Sequence, residues 1–396
     1  MNSNNQFKTK FKTFHNKTFE TQTVSRFIHA SDIHLGSHQY RNEYRADDFV
    51  RVFHEILELA IIHSADFIIL AGDVFTSLEM LPGILLKIIT ILKDFKEFTN
   101  NSIMIIAIEG NHDIRKFSRS VRFERRGQSW LKLLNTLELI ILLDAEIDES
   151  SEKIFKSYNF DMNKGGKIQI NNVMIYGSRY LGEQPVSYLS KIRKAIVKKK
   201  EIFNILILHF GIEGQMENVP GIKLEDIQPL HYRVDYLALG HFHKQFILED
   251  WIYNPGSSEA VCIMDNSYKR GIFLVEISKK LEKFEKKVKI IQLVNRKSLW
   301  ETIYINFEMR NKQEIETFIL DKLKSSLKYL NYNFHPSNHQ MPVLYLILKG
   351  HEPSKSCRVN EKDLRKKICD TLPIVDVKVY QKYVKSLRTL DNYILA

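Results

Sequence analysis

Cysteine, long apolar runs and repeated segments are scarce or missing in this 396-residue sequence. Its three cysteines, Cys262, Cys357 and Cys369, form no C-x-x-C pair and are odd in number. That argues against a disulfide framework and for a reducing, intracellular setting. No apolar run approaches membrane-spanning length, and the first residues lack the apolar core of a signal peptide. There is no internal repeat and no low-complexity tract. The remainder is ordinary globular composition, 44% hydrophobic and 27% charged. A chain this long exceeds what one hydrophobic core supports, so two domains are expected. A net charge of +11 and a pI near 9.2 favour a polyanionic partner, although a solvated basic surface explains them as well.

One short grammar occurs at five places. An apolar, β-branched run, too short for a buried helix, ends in glycine or in polar residues that carry chemistry. Residues 103–108 lead into Gly110-Asn111-His112-Asp113, and 26–30 lead into Ser31-Asp32-Ile33-His34-Leu35-Gly36. Residues 66–70 lead into Ala71-Gly72-Asp73, 204–208 end on His209-Phe210-Gly211, and 235–239 end on Gly240-His241-Phe242-His243. In α/β sheets the functional crevice lies beyond the carboxyl ends of the strands. Five such ends would gather Asp32, His34, Asp73, Asn111, His209, His241 and His243. Gly72, Gly110 and Gly240 each precede a candidate, where tight turns and close backbone approach are needed.

These donors are oxygen and nitrogen without sulfur, which suits one or two divalent cations of the manganese, iron or zinc kind. Two ions a few ångströms apart need a shared carboxylate, and Asp73 is the natural bridge. Such a pair activates water and holds the attacking and leaving oxygens of a phosphoryl displacement. A single histidine after a strand is more often a satisfied core residue, and one glycine-rich tetrapeptide can be only a turn. Five coincidences at five strand ends are harder to explain that way.

In this order the motifs resemble those of the calcineurin-type metallophosphoesterases. Ser31-Asp32-Ile33-His34-Leu35-Gly36, Gly240-His241-Phe242-His243-Lys244 and Tyr253-Asn254-Pro255-Gly256-Ser257-Ser258-Glu259 narrow the resemblance to the Mre-eleven (SbcD-type) nucleases of double-strand-break repair, archaeal and eukaryotic branch. The resemblance covers about 26–295 well and the rest more loosely. It implies an α/β fold of two packed mixed β-sheets flanked by helices, followed by a smaller α+β capping domain. It implies two divalent cations, most often Mn²⁺, with Asp32, His34, Asp73 and His243 on one ion and Asp73, Asn111, His209 and His241 on the other. His112 then stabilises the pentavalent phosphate or protonates the leaving oxygen, and Asp113 either orients that imidazole or serves an ordinary turn. The implied partners are DNA, a second copy in a homodimer, and a coiled-coil ATPase of the Rad-fifty or SbcC type. The implied location is the cytoplasm, in association with the nucleoid.

The sequence departs from the family at two points. Relatives usually continue past the cap into a helical segment that docks on the ATPase, and none is evident before Ala396. Relatives also commonly carry a histidine where Thr76 stands, a residue thought to help position the strand for exonucleolytic cutting. A neutral hydroxyl there leads to the expectation that endonuclease activity exceeds blunt-end exonuclease activity. Two other functions compete. One is a phosphomonoesterase of the same fold, but the Asp-Arg pair usual in protein phosphatases is missing from Gly72-Asp73-Val74-Phe75-Thr76-Ser77. The other is a non-catalytic scaffold for DNA ends.

Along the rest of the chain, residues 1–24 read as a disordered basic arm. Residues 46–60 read as a helix covering a strand–helix–strand unit, with His54, like His63 just after it, structural or exposed. Residues 81–92 form a second helix with Pro82 in its first turn, apolar over more than one face, and 129–134 a short third one. Arg115, Arg119, Arg122, Arg125 and Arg126 begin two residues past the glycine-rich motif, and a phosphate-contacting loop is expected there. A strand is expected at 139–143, polar turns over 144–172, a strand at 173–177 and an exposed cationic helix at 191–200. Strands at 270–277 and 287–294 flank a Lys-rich turn, so the catalytic domain is expected over 25–295. The module at 296–391 reads as strand, helix, strand, helix and strand. From residue 297 onward 17 Lys and Arg stand against 11 Asp and Glu, and a DNA-binding cap is expected from that surplus.

Overall fold

The computed structural model describes residues 24–37, 43–114, 129–147, 153–183, 185–280, 283–305, 311–330, 338–351, 353 and 358–384. The N-terminal arm up to residue 23 and the basic segment with Arg115, Arg119 and Arg122 lie outside the described residues. Two compact units divide the chain, Met1–Gln39 with Phe49–Val294, and Tyr40–Asp48 with Asn295–Ala396.

In the larger unit, β1 (Ser25–Ala30), β2 (Phe67–Leu70), β3 (Met104–Ala107) and β4 (Ile141–Leu142) lie parallel in chain order. Parallel neighbours need crossovers, and three helices supply them: α1 (Glu43–Ile62), α2 (Pro82–Phe98) and α3 (Trp130–Thr136). Within α2, Ile84, Ile88, Leu92 and Phe95 are buried, a stripe at helical spacing. Leu81 and Leu86 stay 51% and 64% exposed, so the second apolar face expected from the sequence is open in the monomer. The antiparallel pair β11 (Gly271–Lys280) and β12 (Lys283–Gln292) extends the sheet beyond β1.

A second six-stranded sheet has the order β5 (Lys167–Ile170), β6 (Val173–Gly177), β7 (Phe203–His209), β8 (Tyr236–Gly240), β10 (Ile252–Asn254) and β9 (Phe246–Leu248). The two sheets share one core. Phe27, Phe67, Ile69 and Ile106 of the first meet Ile175, Ile205, Ile207, Tyr236 and Tyr253 of the second. β2 and β7 are buried throughout, as near-continuous apolar strands should be.

Three local expectations change. Polar turns were expected over 144–172, yet β5 forms there by pairing with β6. The helix expected at 191–200 is α4 (Val186–Ala195), because Ile196 turns extended and buries its side chain. The Lys-rich stretch at 278–287 is largely strand, since β11 and β12 continue their pairing through it.

The smaller unit is a parallel sheet of β13 (Ser298–Ile305), β14 (Val343–His351) and β15 (Asp376–Val384), with α5 (Lys312–Ser326) and α6 (Glu361–Thr371) packed on it. Asn311 and Asn360 cap the helices by accepting hydrogen bonds from first-turn backbone amides. Ile303, Ile305, Leu344, Leu346, Leu348, Val377 and Val379 face Ile315, Ile319, Leu323, Leu364 and Ile368 across the core. The sequence assigns 40–48 to the first domain, whereas the described part of that segment, 43–48, groups with this unit. A buried ion cluster ties Asp48 to this unit. Arg296 donates through Nε and Nη2 to both oxygens of Asp48, at 2.6 and 2.9 Å, and Arg45 Nη1 adds a third bond at 2.6 Å.

Candidate metal centre

The loops after β1, β2 and β8 hold candidate ligands in unusual backbone geometry. Asp32, His34, Asp73 and His241 all have positive φ, at 49°, 51°, 49° and 99°. Such conformations are strained for residues with a Cβ and persist only where the surroundings fix them. Here the fixing bonds are backbone ones. Asp32 N donates to Gly72 O, His34 N to Asp73 O and Leu35 N to Val74 O, at 2.8–3.1 Å. Close approach explains two glycines. A Cβ on Gly72 would sit 2.4 Å from His209 Nδ1, and one on Gly110 would sit 2.2 Å from Asp73 Oδ1.

All seven sequence candidates meet there. Asp32, His34 and His243 form one group with ligand atoms within 4.8 Å of one another, and Asp73, His209 and His241 form a second. Asp73 Oδ2 lies 3.2 Å from His209 Nε2 and 4.0 Å from His34 Nε2, between the groups. Asn111 Oδ1 is 3.2 Å from His209 Nε2 and 3.1 Å from His241 Nδ1. Asp32 accepts the backbone N–H of His241 on both carboxylate oxygens.

Neighbours choose which ring nitrogen is free. His209 Nδ1 donates to the carbonyl of Ala71 at 2.8 Å, which turns Nε2 toward Asp73. His243 Nδ1 lies 2.9 Å from Asp265 Oδ2, which leaves Nε2 facing His34 Nε2 at 3.2 Å. A buried carboxylate behind an imidazole fixes the tautomer and raises ligand basicity. Asp265 is held in turn by the backbone N–H groups of Val261 and Cys262.

Protons and charge are shared unevenly across the centre. Burial lowers His34 to about 3 and His241 to about 4, so both imidazoles are neutral donors at pH 7. Burial opposes the charge on Asp73, but His209 beside it holds the carboxyl below its usual range. Burial also opposes protonation of His209, yet the Asp73 carboxylate lifts it to about 9. Asp32 is raised, chiefly by desolvation. His34 Nδ1 is buried without a hydrogen-bond partner among the described residues, and His34 Nε2 faces another imidazole nitrogen. Two carboxylates, four imidazoles and an amide oxygen packed so closely fit a pair of divalent cations.

His112 stands beside this set and is exposed. Its backbone N–H donates to Asp73 Oδ1 at 2.8 Å, and Nδ1 donates to the Thr76 carbonyl at 3.0 Å. Nε2 is the ring nitrogen that this bond leaves open. Thr76 therefore supplies a main-chain atom that orients the imidazole. Of the two roles expected for Asp113, the structure gives the turn: its oxygens accept from Val74, Phe75 and Gly110 N–H, at 2.8–3.2 Å. His29, on β1, contacts Tyr236 Oη and Leu239 O, and burial holds it near 3, a neutral core histidine. Asp265 was not visible in the sequence, because it follows no strand and acts only through His243. Tyr180, stacked 6.1 Å from His241, gave no signal either.

The sequence has relatives among known proteins. The DNA double-strand break repair protein Mre11 of Saccharolobus solfataricus is 26% identical over 370 residues, covering 93% of this chain and 84% of that protein. The Archaeoglobus fulgidus protein of the same name is 28% identical over 241 residues, covering 59% and 50%. That of Sulfurisphaera tokodaii is 24% identical over 340 residues, covering 85% and 76%. The family model for calcineurin-like phosphoesterases matches residues 25–245, more than half the chain and every residue of the candidate centre except Asp265. The chain belongs to the calcineurin-like phosphoesterase family, the metal-dependent hydrolases of phosphate esters.

Proposed function

We propose that this protein is a two-metal DNA nuclease acting at double-strand breaks. The observation that carries the reading is the pair of donor groups, Asp32–His34–His243 and Asp73–His209–His241, with Asp73 between them and the free Nε2 of His112 alongside. The similarity to archaeal repair proteins over most of the chain supports DNA as the substrate. Asp32, His34, Asp73 and His243 would hold one ion, and Asp73, Asn111, His209 and His241 the other, with Mn²⁺ the ion the family resemblance suggests. Two divalent cations there supply a nucleophile from water at neutral pH and charge for an in-line phosphoryl displacement.

The side chains do the rest. Ala71 and Asp265 fix the rings of His209 and His243, so ligand nitrogens need no reorganisation. His112, as an imidazolium protonated on both nitrogens, would keep Nδ1–H on the Thr76 carbonyl and give its Nε2 proton to the departing oxygen, ending as the neutral ring. No guanidinium follows Asp73 in Val74-Phe75-Thr76-Ser77, which favours a diester over a phosphomonoester. The basic segment with Arg115, Arg119 and Arg122 is assigned to backbone phosphates, and the smaller unit to capping the DNA. Exposed Leu81, Leu86, Leu133 and Leu137 on and beside α2 and α3 support a homodimer through those helices. A Rad-fifty-type ATPase is the remaining partner, testable by co-purification.

The deciding assay compares labelled duplex, hairpin DNA and a phosphopeptide, with Mn²⁺, with Mg²⁺ and with chelator. Manganese-dependent DNA cleavage is expected, with the phosphopeptide untouched. Phosphopeptide turnover without DNA cleavage would replace this reading with a phosphomonoesterase.

A further inference from the structure

In the smaller unit, side chains alternate across the three-stranded sheet. The face with Ile303, Ile305, Leu344, Leu346 and Leu348 packs on α5 and α6. The opposite face carries Trp300 and Tyr304 of β13, 50% and 66% exposed, while Val343, Tyr345 and Asp376 on that face are buried. In register beside them, Trp300 pairs with Tyr345 and then Lys378, and Tyr304 pairs with Lys349 and then Lys382. Trp300 stacks on the buried Tyr345, ring centroids 4.7 Å apart, which presents the outer indole surface as a fixed plane. Lys349 Nζ lies 6.0 Å from the centre of the Tyr304 ring.

Charge on this face is one-sided. Asp376 is fully buried and held by Arg365, and Lys378 reaches Glu361 at 3.3 Å. Among the described residues no carboxylate pairs with Lys349 or Lys382. Two exposed aromatic rings beside lysines without acidic partners suit sequence-tolerant binding of single strands. Bases stack on the rings, and ammonium groups meet the backbone phosphates. Trp300 and Tyr304, four residues apart on one strand, are separated by about 13 Å, room for bases on both rings. A protein partner would gain less here, because it would have to bury the lysines without acidic mates on this chain.

We infer that the exposed strip of this sheet along Trp300 and Tyr304 of β13, with Lys349 and Lys382 beside Tyr304, is a stacking site for single-stranded DNA. This goes beyond the proposed nuclease reading and rests on it only in the choice of DNA as the nucleic acid.

The test uses the full chain, in chelator so that nothing is cleaved, and measures affinity for oligothymidine and for an abasic strand of equal length and charge. The unmodified chain is expected to prefer oligothymidine. Trp300→Ala and Tyr304→Ala should each weaken that binding about tenfold, equivalent to about 1.4 kcal/mol, and together erase the preference over the abasic strand. Trp300→Phe should retain most of it. Lys349→Ala and Lys382→Ala, which leave the core intact, should each lower the salt slope by about 0.7. Hydrolysis of a small phosphodiester with Mn²⁺ reports on the metal centre separately, so its loss would count against the nuclease reading alone. Unchanged oligothymidine affinity in the double aromatic variant would overturn the platform. So would unchanged affinity accompanied by loss of the homodimer, which would make the face a protein contact.

Discussion

Each unit of this protein buries a cluster of charged side chains, and the two clusters are built to opposite rules. In the smaller unit both oxygens of Asp48 are paired, and Arg296 also donates through Nη1 to the carbonyls of Asn338 and Met341 at 2.9 and 2.5 Å. In the larger unit imidazoles face each other at 3.2 Å, His34 Nδ1 has no hydrogen-bond partner among the described residues, and four of the seven candidate ligands carry positive φ. A buried polar group without a partner costs free energy, and local strain adds to that cost. The first arrangement is complete as protein. The second is complete only with cations, and the larger unit pays for it with the two-sheet core beneath.

The largest effect should come from the residue between the two donor groups. Asp73→Asn is expected to reduce manganese-dependent cleavage by about a thousandfold or more, since neither ion keeps its shell without that carboxylate. Manganese counted by metal analysis of the purified variant should fall with it. Two ions retained in Asp73→Asn would break the comparison, because the carboxylate would then not be the bridge.

The complete cluster should respond in stability. Asp48→Ala leaves Arg45 and Arg296 buried without their carboxylate and is expected to cost about 3–5 kcal/mol, read from denaturant unfolding. Small-phosphodiester hydrolysis per folded molecule should stay the same. A cost below about 1 kcal/mol would mean that water reaches the pair.

Asp265 sharpens the contrast, because it is the paired element inside the unpaired cluster. Burial opposes its charge, but His243 holds its carboxyl low, and Asp265 is what lifts His243 against burial. Asp265→Asn should weaken one manganese ion of the two by about 10–100-fold, followed by Mn²⁺ titration in an electron-spin-resonance cell. Equal weakening of both ions would show a general loosening of the fold instead.

The strand-end centre was legible in the sequence because its grammar is local. An apolar run, a glycine and a donor lie within a few residues, and parallel strands bring such ends together without further information. What depends on contacts between distant segments was not legible. Asp265 sits 22 residues from His243 in a loop without periodicity. The tie of Asp48 to the smaller unit runs through Arg296, 248 residues away. The end of α4 was misjudged because charge continues to Lys200 while the backbone turns at Ile196, a core demand that no charge pattern records. Trp300 and Tyr304 read as ordinary strand residues until the register set them beside lysines on one face.

The smallest expected effect concerns Thr76, where sequence and structure emphasise different atoms. The sequence singles out its side chain, a hydroxyl where relatives commonly carry a histidine. The structure gives its carbonyl the work of holding His112 Nδ1, while its own N–H donates to Leu35 O at 3.0 Å and pins the loop. Thr76→His leaves both main-chain bonds in place, so His112 keeps its orientation and bond cleavage should survive at its original rate. The new imidazole adds a donor that, when charged, makes a hydrogen bond to a phosphate roughly twice as strong as that of a hydroxyl. That difference acts on how a duplex end is held and leaves the chemical step alone. Blunt-end exonuclease activity should therefore rise a few-fold in Thr76→His while hairpin cleavage stays level, with both rates measured on the same preparation. If the unmodified chain already digests blunt ends faster than it opens hairpins, the hydroxyl suffices, and end positioning lies with other residues of the site.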